Sequence, residues 1–157
     1  MTEKRRAVKT IDTLFLREAT MEDAALLFEW RNDGTSREIR SKRIDASTHL
    51  LWLEETLRDP GVKFFILMRG ATPIGRIRIN RRDEGLVISC SIAADYRRRG
   101  YGARMLALLE DRVRAHRERR VLVAYVQKDN EASRRTFAKL GYQCMEEYES
   151  YRYTKQL

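Results

Sequence analysis

Residues Arg97-Arg98-Arg99-Gly100-Tyr101-Gly102 lie within SIAADYRRRGYGARMLALLEDRV, where a short apolar run meets a helical pattern. Three adjacent guanidiniums repel one another, and each glycine costs backbone entropy. A bound anion would offset both costs. Gly100 and Gly102 allow a tight backbone whose N–H groups turn into one concavity. A helix starting there adds its unpaired first-turn N–H groups and the positive end of its dipole. That arrangement would cradle a pyrophosphate, and Arg97, Arg98 and Arg99 would raise the potential around it. A bulky side chain at Gly100 or Gly102 would keep phosphates away. A G-x-G spacing on its own describes an ordinary tight turn equally well.

The elements around this turn follow from periodicity. TLFLREA alternates as a strand, and Thr20 then caps MEDAALLFEWRND, a helix with Ala24, Leu27, Phe28 and Arg31 on neighbouring turns. SREIRSKRI is polar and irregular. DASTHLLWLEETLRDPG is a second helix, capped near Asp45 to Ser47 and closed by Pro60-Gly61. KFFILMR and PIGRIRIN form a hairpin around GAT, and EGLVISCSIAA is a third strand running into the turn. A helix follows from about Gly100 to His116, with Met105, Leu106, Leu109 and Val113 on one face. RVLVAYV is a buried strand, NEASRRTFAKLGY a short helix capped by Asn130, and CMEEYESYRYT one or two closing strands. The order predicts an α/β (α+β) domain: a mixed, mostly antiparallel sheet flanked by about four helices.

Composition sets the class. The chain has 157 residues, 43% of them hydrophobic and 35% charged, enough for one domain with a full core. Residues 1–12 read as a polar N-terminal tail and 13–157 as a single domain. No apolar run is long enough to span a bilayer, and the first residues lack the apolar segment of a secretory signal. Cys90 and Cys144 have no metal-ligand spacing and form no cluster with His49 or His116, so no metal is expected. Reduced thiols in the cytoplasm are the expectation. The net charge of +9 invites a nucleic-acid reading. Yet the basic residues are spread along the chain with acids nearby, so nucleic-acid binding is not expected. The excess suits a polyphosphate cofactor or an anionic substrate.

The R-x-x-G-x-G pattern between a strand and a helix, followed by N-x-x-S-x-x-x-F-x-K-L-G-Y over Asn130 to Tyr142, resembles the GNAT acyltransferase superfamily. The resemblance covers about Leu14 to Tyr153. It implies an acetyl-CoA-dependent N-acetyltransferase in which a primary amine attacks the thioester directly. It places the pyrophosphate of acetyl-CoA on Arg97, Arg98, Arg99, Gly100, Tyr101, Gly102 and Ala103, and the pantetheine arm near Asn130. The oxyanion donor would be a backbone N–H at Ile92 or Ala93. The tyrosine that protonates the departing thiolate in much of the family is here Phe137, which has no proton to give. Either Ser133, Tyr142 or a water substitutes, or the thiolate leaves unassisted, or the protein binds acetyl-CoA without catalysis. The strand before the turn carries no carboxylate to act as base. His49 is the titratable candidate, either taking a proton or hydroxyl contact from the acceptor, or standing exposed with no role. His116, at a helix C-terminus, reads as structural.

The first two predicted helices resemble those of nucleotide-amino-sugar N-acetyltransferases of the pseudaminic acid pathway type. The resemblance rests on Glu29-Trp30-Arg31-Asn32 and on His49, Trp52 and Leu53. It implies that Arg31 pairs with phosphate, that Trp30 or Trp52 stacks on a base or sugar, and that Asn32 and His49 read hydroxyls. Asn80 and Arg81 would edge the same cleft. Core packing explains both tryptophans equally well. The first helix also resembles acetyltransferases of protein N-termini, ribosomal proteins included. Polyamine and aminoglycoside acceptors call for an acidic cleft, for which MEEYE is the local support. A non-catalytic acetyl-CoA- or nucleic-acid-binding module is the reading of another class. The last strand offers a pairing edge for a homodimer.

Overall fold

The computed structural model describes residues 13–33, 44–116 and 120–157. The predicted tail at 1–12 and most of SREIRSKRI lie outside them. β1 (Leu14–Glu18) leads into a 3-10 turn and α1 (Ala24–Asn32). The Thr20 hydroxyl accepts from Glu22 N–H, and the Asp23 carboxylate reaches back to Thr20 N–H at 2.9 Å. α2 (Ala46–Arg58) starts at Asp45, whose Oδ1 accepts from Thr48 N–H at 2.8 Å. β2 (Val62–Arg69), β3 (Thr72–Arg82) and β4 (Gly85–Ile92) form a meander. α3 (Tyr101–Ala115), β5 (Val121–Gln127), α4 (Glu131–Lys139), β6 (Gln143–Glu146) and β7 (Ser150–Gln156) complete the chain.

The seven strands form one sheet in the order β1-β2-β3-β4-β5-β7-β6. Every neighbouring pair is antiparallel except β4 and β5. This is the mixed, mostly antiparallel sheet that the sequence predicts. The expectation for the last strand is corrected. β7 is held by β5 on one side and β6 on the other, so its backbone groups are spent and the edge is β6.

Alternation along the strands gives the sheet two unlike faces. One is largely apolar. Ile77, Ile79, Leu86, Ile88, Leu122, Ala124 and Val126 pack there with Met105, Leu106 and Leu109 of α3 and Phe137 of α4. The other is apolar only under α1 and α2, where Phe64, Ile66 and Met68 meet Leu27 and Leu53. Farther across, the same face turns polar: Arg76, Arg78 and Asn80 on β3 stand opposite Ser91, Ser89 and Val87 on β4.

One buried ion pair braces the α3 side. Lys155 Nζ lies 2.7 Å from Glu110 Oε1 and also donates to Leu140 O, tying β7 to α3 and to the end of α4. His116 takes the expected C-terminal place on α3, with Nδ1 2.9 Å from Arg112 O.

Candidate active site

β4 and β5 pair in parallel over only three positions, ending at Ile88–Ala124. Beyond these, β4 continues to Ile92 and β5 to Gln127, so the two strands part and their facing backbone groups lose their ladder partners. A cleft of about 820 Å³ occupies the opening. It is lined from both faces of the sheet: Ser89, Ser91 and Tyr125 on one, Ile88, Cys90 and Val126 on the other. The cleft therefore passes through the sheet.

The glycine turn closes one end. Gly100 is the N-cap of α3 with φ +81, a left-handed conformation that favours glycine. The first N–H bonded within the helix is that of Arg104, which donates to Gly100 O at 3.3 Å. The N–H groups of Tyr101, Gly102 and Ala103 precede it and have no acceptor within the helix. All three residues line the cleft. A Cβ placed on Gly100 or Gly102 would meet nothing within 4 Å. The space before the amides is open, as a pyrophosphate on this cradle requires.

The three arginines have three surroundings. Arg97 Nε donates to Ile92 O at 2.9 Å, bracing the turn against the end of β4. Arg98 lines the cleft and has φ 62, a conformation uncommon outside glycine. Arg99 lies over the Tyr96 ring at 5.9 Å and is not part of the lining, a correction to its expected phosphate contact.

The two candidate oxyanion donors separate cleanly. Ala93 N–H donates to Ile74 O at 2.8 Å. It is spent, and Ala93 is withdrawn as a cofactor contact. Because residues 93 and 74 form a hydrogen-bonded pair, Ile92 and Gly75 form the adjacent non-bonded pair. The Ile92 N–H and C=O then point away from β3, to the side that β5 has left. The Arg97 bond to Ile92 O agrees with that direction.

From α4, Asn130, Ser133 and Phe137 line the same cleft. Asn130 Oδ1 caps the helix by accepting from Ser133 N–H at 3.3 Å, and the Ser133 hydroxyl remains as a proton donor. Phe137 is 3% exposed, 5.0 Å from the Tyr142 ring and 5.5 Å from that of Tyr153, so it is a packing residue with one edge on the cleft. Tyr142 is dropped as an acid. It lies buried outside the lining, and burial followed by the nearby Glu110 pushes its phenol above the usual range. Burial also pushes the Cys90 thiol up to about 11, so it stays protonated.

The acceptor-side expectations fare less evenly. His49 is only 2% exposed, its ring 5.5 Å from both Phe28 and Trp52, and it lines neither cleft. Burial and the Arg31 charge lower its pKa, so the neutral imidazole belongs to the core. It is withdrawn as base and as acceptor contact. Asn32 is also committed, with Nδ2 donating to Ile44 O at 2.9 Å and Oδ1 accepting from Ile44 N–H. Trp30 packs on the apolar cluster under α1 and α2. Arg81 falls on the opposite face of β3 by alternation, and Arg82 takes its place in a second cleft of about 380 Å³. That cleft also holds Trp52 and Asn80. Arg31 lines neither cleft, and its guanidinium carbon lies 5.7 Å from the Trp52 centroid.

Sequence reasoning passed over Arg76 and Arg78. Arg76 is 8% exposed and Arg78 lines both clefts. The pKa of each is lowered to about 10, by burial first and then by neighbouring arginines. The signal was available: R-I-R-I-N puts Arg76, Arg78 and Asn80 on one face of an interior strand. Among the described residues no cluster of three or more His, Cys, Asp or Glu side chains forms, and no helix is long and apolar enough to cross a membrane.

A family model for acetyltransferase (GNAT) domains matches residues 13–143. The putative acetyltransferase yncA from Salmonella typhimurium, solved with acetyl-CoA, has the same fold at a TM-score of 0.71 and 20% identity, covering 92% of each chain. Aminoglycoside acetyltransferase AAC(6')-Ib, solved with coenzyme A, gives 0.78 at 20% identity over 90% of this chain and 93% of its own. Ribosomal-protein-alanine N-acetyltransferase from Brucella melitensis gives 0.73 at 22% over 91% and 98%. Among curated proteins no sequence match is found.

Proposed function

The chain belongs to the GNAT acetyltransferase family and is an acetyl-CoA-dependent acyltransferase, and from that premise we propose that it acetylates the primary amine of a nucleotide-linked amino sugar by direct attack on the thioester. The observation that carries this reading is the cleft through the sheet, lined from both faces where β4 and β5 part. A cofactor held on the α3 side and an acceptor entering on the α1–α2 side meet there without a covalent enzyme intermediate. Holding both in one cleft converts a bimolecular encounter into an effectively unimolecular step.

Acetyl-CoA supplies the thioester carbonyl and a thiolate leaving group. The amides of Tyr101, Gly102 and Ala103 hold its pyrophosphate, with Arg98 beside them. The Ile92 N–H receives the negative charge that develops on the carbonyl oxygen. The Ser133 hydroxyl would donate a hydrogen bond to the departing thiolate in place of the missing tyrosine, and the thiolate would take its proton from solvent. With His49 buried, the amine's proton passes to water. Trp52 walls the acceptor side beside Arg78, stiffened by its edge contact with Phe64 at 6.2 Å.

The test is thiol release from acetyl-CoA over a panel of amines: nucleotide-linked 4-amino sugars, N-terminal peptides, polyamines and aminoglycosides. The nucleotide-linked sugars are expected to give the highest kcat/KM. Preferred turnover of an N-terminal peptide would replace this acceptor with a protein. Absence of turnover with every amine, alongside binding of a DNA or RNA fragment that weakens steeply with salt, would replace catalysis with a binding module.

A further inference from the structure

Arg78 is the residue shared by the transfer cleft and the second cleft beside it. Its guanidinium carbon lies 5.2 Å from the Trp52 centroid and 5.9 Å from that of Phe64, so it packs against the corner that the two edge-on rings make. Its Nε donates to Asn80 Oδ1 at 3.0 Å, a neutral acceptor. Arg31 approaches the same Trp52 ring at 5.7 Å, and its buried Nε has no hydrogen-bond partner among the described residues. Arg31 and Arg82 both act on Arg78 as like charges. Among the described residues no carboxylate pairs with Arg78. Two carboxylates, Glu55 and Asp59, line the second cleft without pairing with Arg78, and Asp59 accepts from Gly61 N–H at 2.8 Å.

Gathering like charges in a half-buried place is costly unless an anion completes it. We propose that Arg78, with Arg31 adding positive charge nearby, forms a subsite for a phosphate group of the acceptor and selects anionic over cationic amines. The inference deepens the acceptor reading above and rests on it. The guanidinium fork matches phosphate bidentately, and Trp52 keeps the fork in plane. The position also sets a length. Arg78 pairs with Ser89, and Ile92 lies three residues farther along β4, about 10 Å at strand spacing. The phosphate and the reacting amine would then lie at separate points along the acceptor.

Two measurements test this. In the first, UDP is added to protein saturated with coenzyme A, so that the glycine-turn cradle is occupied. UDP is expected to raise the melting temperature further in the wild type, and not in Arg78→Gln. Glutarate, the carboxylate arm, is expected to give a smaller rise. An equal or larger rise with glutarate would replace phosphate with carboxylate and overturn the assignment. No rise with UDP, or the same rise in Arg78→Gln, would overturn the subsite. In the second, kcat/KM is compared for one amino sugar with and without its nucleotide diphosphate. The wild type is expected to favour the phosphorylated form roughly 10–100-fold, the worth of a charge-assisted contact, and Arg78→Gln to lose that preference. Arg78→Lys, which keeps charge but not the fork, guards against a folding defect and should retain part of it. Preference for the unphosphorylated amine would sink the subsite while leaving acetyl transfer intact. UDP binding through Arg78 without turnover of any amine would sink the transfer reading and leave the subsite standing.

Discussion

At the turn between β4 and α3 the groups that face the cleft include the backbone amides of Tyr101, Gly102 and Ala103, which have no acceptor within the helix. On the neighbouring face of β3 the group is the guanidinium of Arg78, set beside the rings of Trp52 and Phe64. The first region recognises a group common to every reaction of the enzyme. Backbone amides suit that task because they are fixed by the helix and cannot be lost by substitution. The second must tell one acceptor from another, and side chains carry that difference. Stability follows the same division. The cofactor half rests on an apolar core with α3 and α4 in which the buried Glu110 is paired with Lys155, whereas the acceptor half buries the Arg76 guanidinium and the His49 ring.

The largest effect expected of this contrast is at Phe137. Phe137→Ala should cost about 3–5 kcal/mol in urea unfolding, because the ring fills the core between Tyr142 and Tyr153. A loss under about 1 kcal/mol would show that the cofactor half does not depend on this packing. Gly102→Val comes next. A Cβ there meets open space and the backbone needs no positive φ, so stability should stay within about 0.5 kcal/mol. Acetyl-CoA affinity should nevertheless fall on the order of 100-fold, near 2.7 kcal/mol, as the side chain fills the cradle. Calorimetry that finds unchanged affinity would move the phosphate site elsewhere.

His49→Ala should act on stability rather than on chemistry, by about 1–3 kcal/mol. Its folded pKa is lowered, so the neutral-imidazole contribution is full above the unfolded value near 6.5 and is lost as pH falls through the folded value. The shape of the pH–rate profile should match the wild type. A profile that loses a limb in the variant would return His49 to the chemistry and break the contrast. The smallest effect belongs to Asp23, whose carboxylate is held below its usual range by Arg17 at 2.7 Å, opposed by burial and helped by Thr20 N–H. Its contribution is present above about pH 3.9 and lost as pH falls through the folded pKa. Asp23→Asn should lose under about 1 kcal/mol at pH 7 and show a shallower acid slope in urea titrations.

Legibility in the sequence differed between the halves for a physical reason. Gly100, the start of α3 and Asn130 at the head of α4 are local signals, since a turn and two helix N-termini are set by residues next to one another. Ile92 was narrowed from a pair only by the β3–β4 register, because which N–H is free depends on the partner strand. His49, Trp30 and Asn32 were read as acceptor contacts from residue type. Each is instead used by its neighbours: the rings around His49, the apolar cluster under Trp30, and the Ile44 backbone bonded to Asn32. Arg76 and Arg78 alternate with isoleucines in R-I-R-I-N, but nothing local shows that β3 is interior to a seven-stranded sheet.

The amino-acid sequence by itself determined the element order, the glycine turn ahead of α3 and the capping of the helices. These depend on backbone permissions and periodicity within a few residues. The tertiary structure alone decided that β4 and β5 part after Ala124, that the resulting cleft pierces the sheet, and that Arg78 stands where two clefts meet. Those depend on strands brought together across the chain, and long-range pairing leaves no mark in the spacing of neighbouring residues.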